Sequence, residues 1–245
     1  MFVYIDTAVS TADKVGGIMG KPELIVMLTY NDCTVENAFE IFSKCSDSKA
    51  KYWGFKEKPL PLDEMKRLYA YMKECGKTTV LEVVEYTEEE GINGAETAVE
   101  CGCDILMGTM YSDKISEICR KNGIKYMPFV GDVYDRPSVL GGTVEGMIAE
   151  ARDCISKGCA GIDLLGYRFT GDPVELNRRL VEEIDADICI AGSVNSFERL
   201  DEICDASPWA FTIGSAFFDK QFGTDFCEQI NTVCDYVQRR LAVIC

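Results

Sequence analysis

The 245-residue sequence contains no histidine. The side chain whose ordinary pKa lies within the physiological range is therefore missing. Proton transfer near neutral pH falls to Lys, Glu, Asp, Tyr or Cys in a shifted environment. Without imidazole the usual catalytic zinc sites are excluded, and no metal site is expected. Basic residues are scarce: 25 Lys and Arg stand against 41 Asp and Glu, a formal charge of −16. Nucleic acid and anionic membrane are thus disfavoured as partners, because both need a basic face. No apolar run approaches the ~18 residues of a membrane span. The opening MFVYIDTAVSTADK lacks a basic leader followed by a long apolar segment, which points to a cytoplasmic protein. No G-x-G-x-x-G follows a first strand and no P-loop occurs, so no nucleotide cofactor is expected.

Cysteine is plentiful, at 13 residues, but no CxxC pair is among them. An odd count spread over helices and strands does not resemble a disulfide framework. The expectation is reduced, structural thiols in a reducing cytosol.

Strand and helix patterns alternate eight times after an N-terminal extension over 1–22 that is a candidate to close the bottom of a barrel. The apolar runs fall at 24–28, 51–55, 78–84, 104–107, 125–130, 161–165, 188–191 and 210–213. Such alternation predicts a parallel sheet covered by helices, and the length suits a single (β/α)8 TIM barrel over 1–245. Thr34 and Thr87 are candidate N-caps. The connection 133–142 is long for this architecture and is a candidate lid.

Active sites of such barrels lie where strands end. The polar residues there are Asn31, Asp32, Lys56, Glu57, Glu82, Glu85, Thr109, Asp132, Asp163, Tyr167, Arg168, Ser193 and Ser215. Glu82 and Asp163 interrupt otherwise apolar strands, where a charge is costly unless paired or used. Lys56 follows the apolar Trp53-Gly54-Phe55, and partial burial there would lower its pKa and make it a base or a Schiff-base former. The last two strands end in Gly192-Ser193 and Gly214-Ser215. Two glycine-serine turns side by side make a cradle for a phosphate dianion. Arg168 is a candidate clamp for phosphate or carboxylate, with Tyr167, Asn31 and Asp132 as further substrate contacts.

The stretch Trp209-Ala210-Phe211-Thr212-Ile213-Gly214-Ser215-Ala216 resembles the end of the ribulose-phosphate-binding barrels, and among them the N-acetylmannosamine-6-phosphate 2-epimerases. Gly54-Phe55-Lys56-Glu57 is similar to the segment carrying their proton-transfer lysine, and Gly166-Tyr167 to the Gly-Tyr after their sixth strand. The resemblance is sharp over about the last quarter of the chain. It implies a metal-independent isomerase or epimerase on a phosphorylated sugar, with Lys56 as base and Glu82 or Asp163 as the carboxyl partner. One departure is plain: those enzymes carry an acid beside the seventh-strand glycine, where this chain reads Ile190-Ala191-Gly192-Ser193. Two alternatives stand beside this: a Schiff-base aldolase or lyase on a phosphorylated substrate, and a non-catalytic phospho-ligand-binding barrel. A phosphorylated small molecule is the expected partner, and a homodimer a candidate assembly.

Overall fold

A computed structural model describes residues 21–244. The extension expected over 1–22 lies, but for Lys21 and Pro22, outside the described residues. Eight strands form one parallel sheet: β1 (Glu23–Met27), β2 (Tyr52–Lys56), β3 (Thr78–Val83), β4 (Ile105–Gly108), β5 (Lys125–Met127), β6 (Gly161–Leu164), β7 (Asp187–Ile190) and β8 (Ala210–Ile213). Their order is β6-β7-β8-β1-β2-β3-β4-β5, which curls into a nearly closed (β/α)8 barrel, as the alternation predicts. The covering helices are α1 (Ala38–Cys45), α2 (Leu62–Glu74), α3 (Glu88–Cys101), α4 (Asp113–Asn122), α5 (Val144–Ser156), α6 (Pro173–Glu183) and α7 (Phe197–Ala206). A short α8 (Ser215–Phe218) and a long α9 (Phe226–Ile244) complete the order. Among the described residues no helix is long and apolar enough to cross a membrane.

Alternation along each strand divides the core in two. Outward residues such as Phe55, Leu81, Leu106, Ile190 and Phe211 pack under the helices. Ile25, Met27, Val80, Ile105, Met107, Met127, Cys189 and Ala210 fill the barrel interior. Tyr52 and Trp209, edge to face at 5.4 Å, sit against the interior cluster. Two residues further along the inward rows the composition changes: Val80 is followed by Glu82, Gly54 by Lys56, Ala210 by Thr212. The period of two thus turns an apolar plug into a polar layer at the strands' C-terminal ends.

The barrel closes less completely between β5 and β6 than elsewhere. Two hydrogen bonds join them, Ala160 N–H to the Tyr126 carbonyl (2.9 Å) and Asp163 N–H to the Pro128 carbonyl (3.0 Å). Pro128 has no N–H to return, and the β6 side advances three residues against two on β5, as a bulge does.

Two antiparallel hairpins stand at the mouth, Thr29–Tyr30 with Cys33–Thr34 and Asp132–Tyr134 with Val139–Gly141. The second occupies the long connection 133–142, the candidate lid. It is tied down: the Tyr86 hydroxyl donates to the Asp135 carbonyl (2.9 Å), and Arg136 donates to the Val84 carbonyl (2.7 Å). Thr87 caps α3 as expected, accepting from Glu90 N–H. Thr34 does not cap α1, whose N-cap is Asn37. The hairpin carries it to β2 instead, where its hydroxyl donates to the Lys56 carbonyl (2.7 Å) and accepts from Lys56 N–H (3.0 Å).

The expectation of wholly reduced cysteines is corrected. Cys45 at the end of α1 and Cys227 in the first turn of α9 are joined in a disulfide across 182 residues of sequence. A tertiary contact between the first and last helices brings them together, which sequence spacing does not show. Among the remaining described cysteines only Cys33 is exposed.

Candidate active site

A cavity of about 270 Å³ opens at the C-terminal ends of the strands and is lined by Lys56, Glu82, Arg168, Gly192, Ser193, Gly214 and Ser215. Seven of the expected site residues therefore meet in one place. One wall comes from the turns after β7 and β8. Gly192 (φ +85°) and Ser193 (φ +62°) both occupy left-handed backbone, which glycine adopts freely and serine at a cost. Arg199 of α7 donates to the Ser193 carbonyl and holds that turn. Ser215 Oγ accepts from Asn31 N–H at 3.2 Å, fixing the β8 turn against the first hairpin.

Arg168 lies on the same side. Its Nη1 donates to the Ser138 carbonyl at 3.4 Å, while its Nε is buried with no protein partner. Among the described residues no carboxylate stands within ion-pair distance of it. Arg168 lines the cavity, and a guanidinium without an ion-pair partner is arranged to receive an anion there.

Opposite the cradle is a charged layer. Lys56 and Glu82 are in register on β2 and β3 and point inward together. Lys56 is 12% exposed, and its Nζ lies 3.0 Å from Asp32 Oδ1. Burial alone would push this ammonium's pKa down, but Glu82, Asp32 and Glu57 together outweigh it and hold the pKa above the ordinary lysine value. This corrects the expectation of a lysine with a lowered pKa: three carboxylates from three strand ends keep it protonated. Asp163 lies beneath, fully buried, with neither carboxyl oxygen hydrogen-bonded. Burial first, and Glu82 second, push its pKa well above the usual carboxylate range, so it keeps its proton. The cavity thus presents the Lys56 ammonium beside the Glu82 carboxyl group, with Asp163 buried beneath them and outside the cavity lining.

Three expected contacts lie elsewhere. Tyr167 does not line the cavity; the Arg199 guanidinium sits 4.8 Å above its ring, so it braces the residue that holds Ser193. Asp132 is exposed at the base of the second hairpin and borders no described cavity wall. Asn31 serves through its backbone N–H and borders a neighbouring cavity. Asp32, named among the strand-end polar residues but given no role, and Ser138, not named at all, both line the cavity. The positive φ of Asn31 and Asp32 makes a two-residue hairpin turn, and Asn-Asp between short apolar pairs is a legible signal for one. Nothing in the sequence announces Ser138. Among the described residues no group of three or more Cys, Asp or Glu is placed to hold a metal ion.

No protein-family profile matches the sequence, and no curated protein matches it. Solved structures share its fold. N-acetylmannosamine-6-phosphate 2-epimerase from Clostridium perfringens is 11% identical, with 96% of this chain and 100% of that one covered at a TM-score of 0.60. For orotidine 5'-phosphate decarboxylase from Pyrococcus horikoshii OT3 the values are 13%, 88%, 99% and 0.64. A 4-hydroxy-2-oxoglutarate aldolase/2-deydro-3-deoxyphosphogluconate aldolase from TTHB1 gives 14%, 89%, 94% and 0.60. At these identities the likeness is one of fold.

Proposed function

We propose that this barrel is an isomerase or epimerase acting on a phosphorylated sugar, without a metal or other cofactor. The observation that carries the reading is Arg168, a cation with no carboxylate partner among the described residues, set beside two glycine-serine turns and across one cavity from Lys56 and Glu82. Phosphate binds to Arg168, Ser193, Ser215 and the turn amides at Gly192 and Gly214. Binding energy from that remote group orients the reacting carbon over the charged layer. The Glu82 carboxylate removes the proton next to the carbonyl. The Lys56 ammonium hydrogen-bonds the carbonyl oxygen and stabilises the enolate that forms, a role in which its raised pKa is an advantage. Return of the proton to the same carbon from the opposite face gives epimerisation; its delivery to the former carbonyl carbon, with the neighbouring hydroxyl proton passing to the carbonyl oxygen, gives isomerisation. Asp163 supports Glu82 as a neutral carboxyl and adds no second negative charge.

The test is solvent exchange. In deuterium oxide with a panel of aldose and ketose phosphates, NMR should show deuterium entering beside the carbonyl of one of them. Lys56→Met and Glu82→Gln should stop it. Exchange that survives both substitutions would overturn the assignment. An aldolase with Lys56 as Schiff base is the second reading, favoured by the shared fold with an aldolase. It needs a neutral amine, which the three carboxylates oppose, and borohydride trapping of a substrate adduct on Lys56 would establish it. A non-catalytic phospho-ligand barrel is the third, and would bind the same compounds without exchange. A cytoplasmic location goes with a phosphosugar enzyme. In that compartment Cys45 and Cys227 are kept as thiols unless the folded barrel holds them paired.

A further inference from the structure

The cavity of the cradle is not alone at the mouth. A second chamber of about 690 Å³ lies under the tip of the Asp132–Gly141 hairpin, lined by Cys33, Glu57, Lys58, Val84, Arg136 and Pro137. Asp32 and Lys56 border both chambers, so the ammonium stands at their junction. The outer wall of the second chamber is fixed rather than loose. Arg136 packs over the Tyr86 ring at 5.2 Å and pairs with Glu85 at 3.0 Å. The Tyr86 hydroxyl also shares a hydrogen bond with Ser138 Oγ at 2.8 Å. This space therefore exists before any ligand arrives.

Its chemistry follows from an inventory of the charges. Lys58 (2.5 Å) and Arg136 are both engaged by the one buried carboxylate of Glu85. Glu90 accepts from the Thr87 hydroxyl. The unsatisfied group is Glu57, whose Oε2 is buried with no hydrogen-bond partner. Burial, then Glu85 and Glu82, push its pKa above the ordinary glutamate value, and its oxygen accepts from a hydroxyl in either protonation state. A buried polar atom left unpaired destabilises the free protein and gains a partner when a ligand supplies one. The lining holds more carboxyl groups (Asp32, Glu57, Glu85, Glu90) than cations (Lys56, Lys58, Arg136), so the chamber offers a second phosphate no surplus of positive charge.

We infer that the substrate runs from the cradle past Lys56 into this second chamber, and that the part lodged there is an uncharged, hydroxyl-bearing chain hydrogen-bonded to Glu57. The inference rests on the phosphosugar reading of the cradle and narrows it. The reacting carbon lies at the junction, with carbon chain on both sides of it. Three-carbon phosphates fill the first chamber alone; five- and six-carbon monophosphates reach the second, and bisphosphates lose at the far end what they gain in length.

Cys33 makes this measurable, because it lines the second chamber and is the exposed free thiol of the described residues. The experiment follows iodoacetamide labelling of Cys33 by peptide mass mapping, beside thermal shift. The ligands are glycerol 3-phosphate, ribulose 5-phosphate, fructose 6-phosphate and fructose 1,6-bisphosphate. Glycerol 3-phosphate should raise Tm and leave the labelling rate unchanged. The five- or six-carbon monophosphate should raise Tm further and slow labelling at least fivefold, and should bind better than the bisphosphate. One hydrogen bond to Glu57 predicts that Glu57→Leu weakens the long ligand about 2- to 10-fold, with glycerol 3-phosphate unaffected and Glu57→Gln close to wild type. Long and short ligands that raise Tm alike with Cys33 unprotected would overturn the inference and leave the cradle standing. Protection of Cys33 by glycerol 3-phosphate would overturn it by placing the phosphate in the second chamber. If no phosphate compound raises Tm, the cradle reading fails and this inference with it.

Discussion

Replacing Gly192 by alanine separates what the β7 turn does for the fold from what it does for the ligand. Gly192 has φ +85°, and a Cβ there would stand 2.7 Å from Arg168 Cγ and 3.5 Å from its Cδ and Nε. Alanine in left-handed backbone costs about 1–2 kcal/mol. At about 2–4 °C per kcal/mol for a chain of this size, Tm should fall by roughly 2–8 °C. The contact with Arg168 is an additional effect. The arginine must swing away from the cavity, and a hydrogen bond to a charged group contributes about 1.5–3 kcal/mol. Since about 1.4 kcal/mol is tenfold, glycerol 3-phosphate should bind about 10- to 100-fold more weakly. Gly102→Ala is the matched control: φ is +66° at the end of α3, and a Cβ there meets nothing within 4 Å. It should lose similar stability and no affinity. Scanning fluorimetry gives the first quantity and titration calorimetry the second. If Gly192→Ala binds glycerol 3-phosphate as the wild type does, with a Tm loss like that of Gly102→Ala, Arg168 is not the anion clamp.

Three further expectations bear on the layer and the frame. Lys56 Nζ, followed by NMR, should titrate above the ordinary value of 10.5; a midpoint near 7–8 would reinstate a lysine base. Lys56→Met should lower kcat by about 10²–10³, as loss of one donor to a developing oxyanion does. Asp163 binds its proton more tightly folded than unfolded, so stability falls as pH rises from its ordinary value of 3.8 toward the raised one. Asp163→Asn should flatten the dependence of Tm on pH from 4 to 8, and an unchanged slope would refute the buried neutral carboxyl. The Cys45–Cys227 bond closes 182 residues, for which chain-entropy arguments give about 5 kcal/mol. Cys45→Ser should therefore lower Tm by about 10 °C or more, whereas an unaltered Tm would mean the bond does not form in solution.

The eight strands and their turns are legible in the sequence because each depends on local pattern: short apolar runs, strand-ending glycines, caps such as Thr87. The cradle is legible for the same reason, since Gly192-Ser193 and Gly214-Ser215 end consecutive strands. The protonation of Lys56 is not. Its neighbours Asp32, Glu57 and Glu82 come from three strand ends, and only closure of the barrel tells how many carboxylates face one ammonium. Lysine after an apolar pair suggests burial, and burial by itself gives the opposite sign. Tyr167 shows the converse error, a strand-end aromatic that reads as a contact and serves as a brace. The disulfide could not be read at all: among 13 cysteines, helix packing alone singles out Cys45 and Cys227.

That bond has a topological consequence. It ties α1 to α9, so the peptide between them is a closed covalent loop. A single protease cut anywhere from 46 to 226, for example beside the exposed Tyr134 at the hairpin tip, leaves two segments that still migrate as one molecule without reductant. They separate only when the sulfurs are reduced. Such a cut falls in the connection between β5 and β6, the two neighbours that form no continuous ladder. The two segments keep their longest shared boundary, the β8–β1 ladder. In effect the barrel is a hoop with a weak clasp on one side and a covalent rivet on the other.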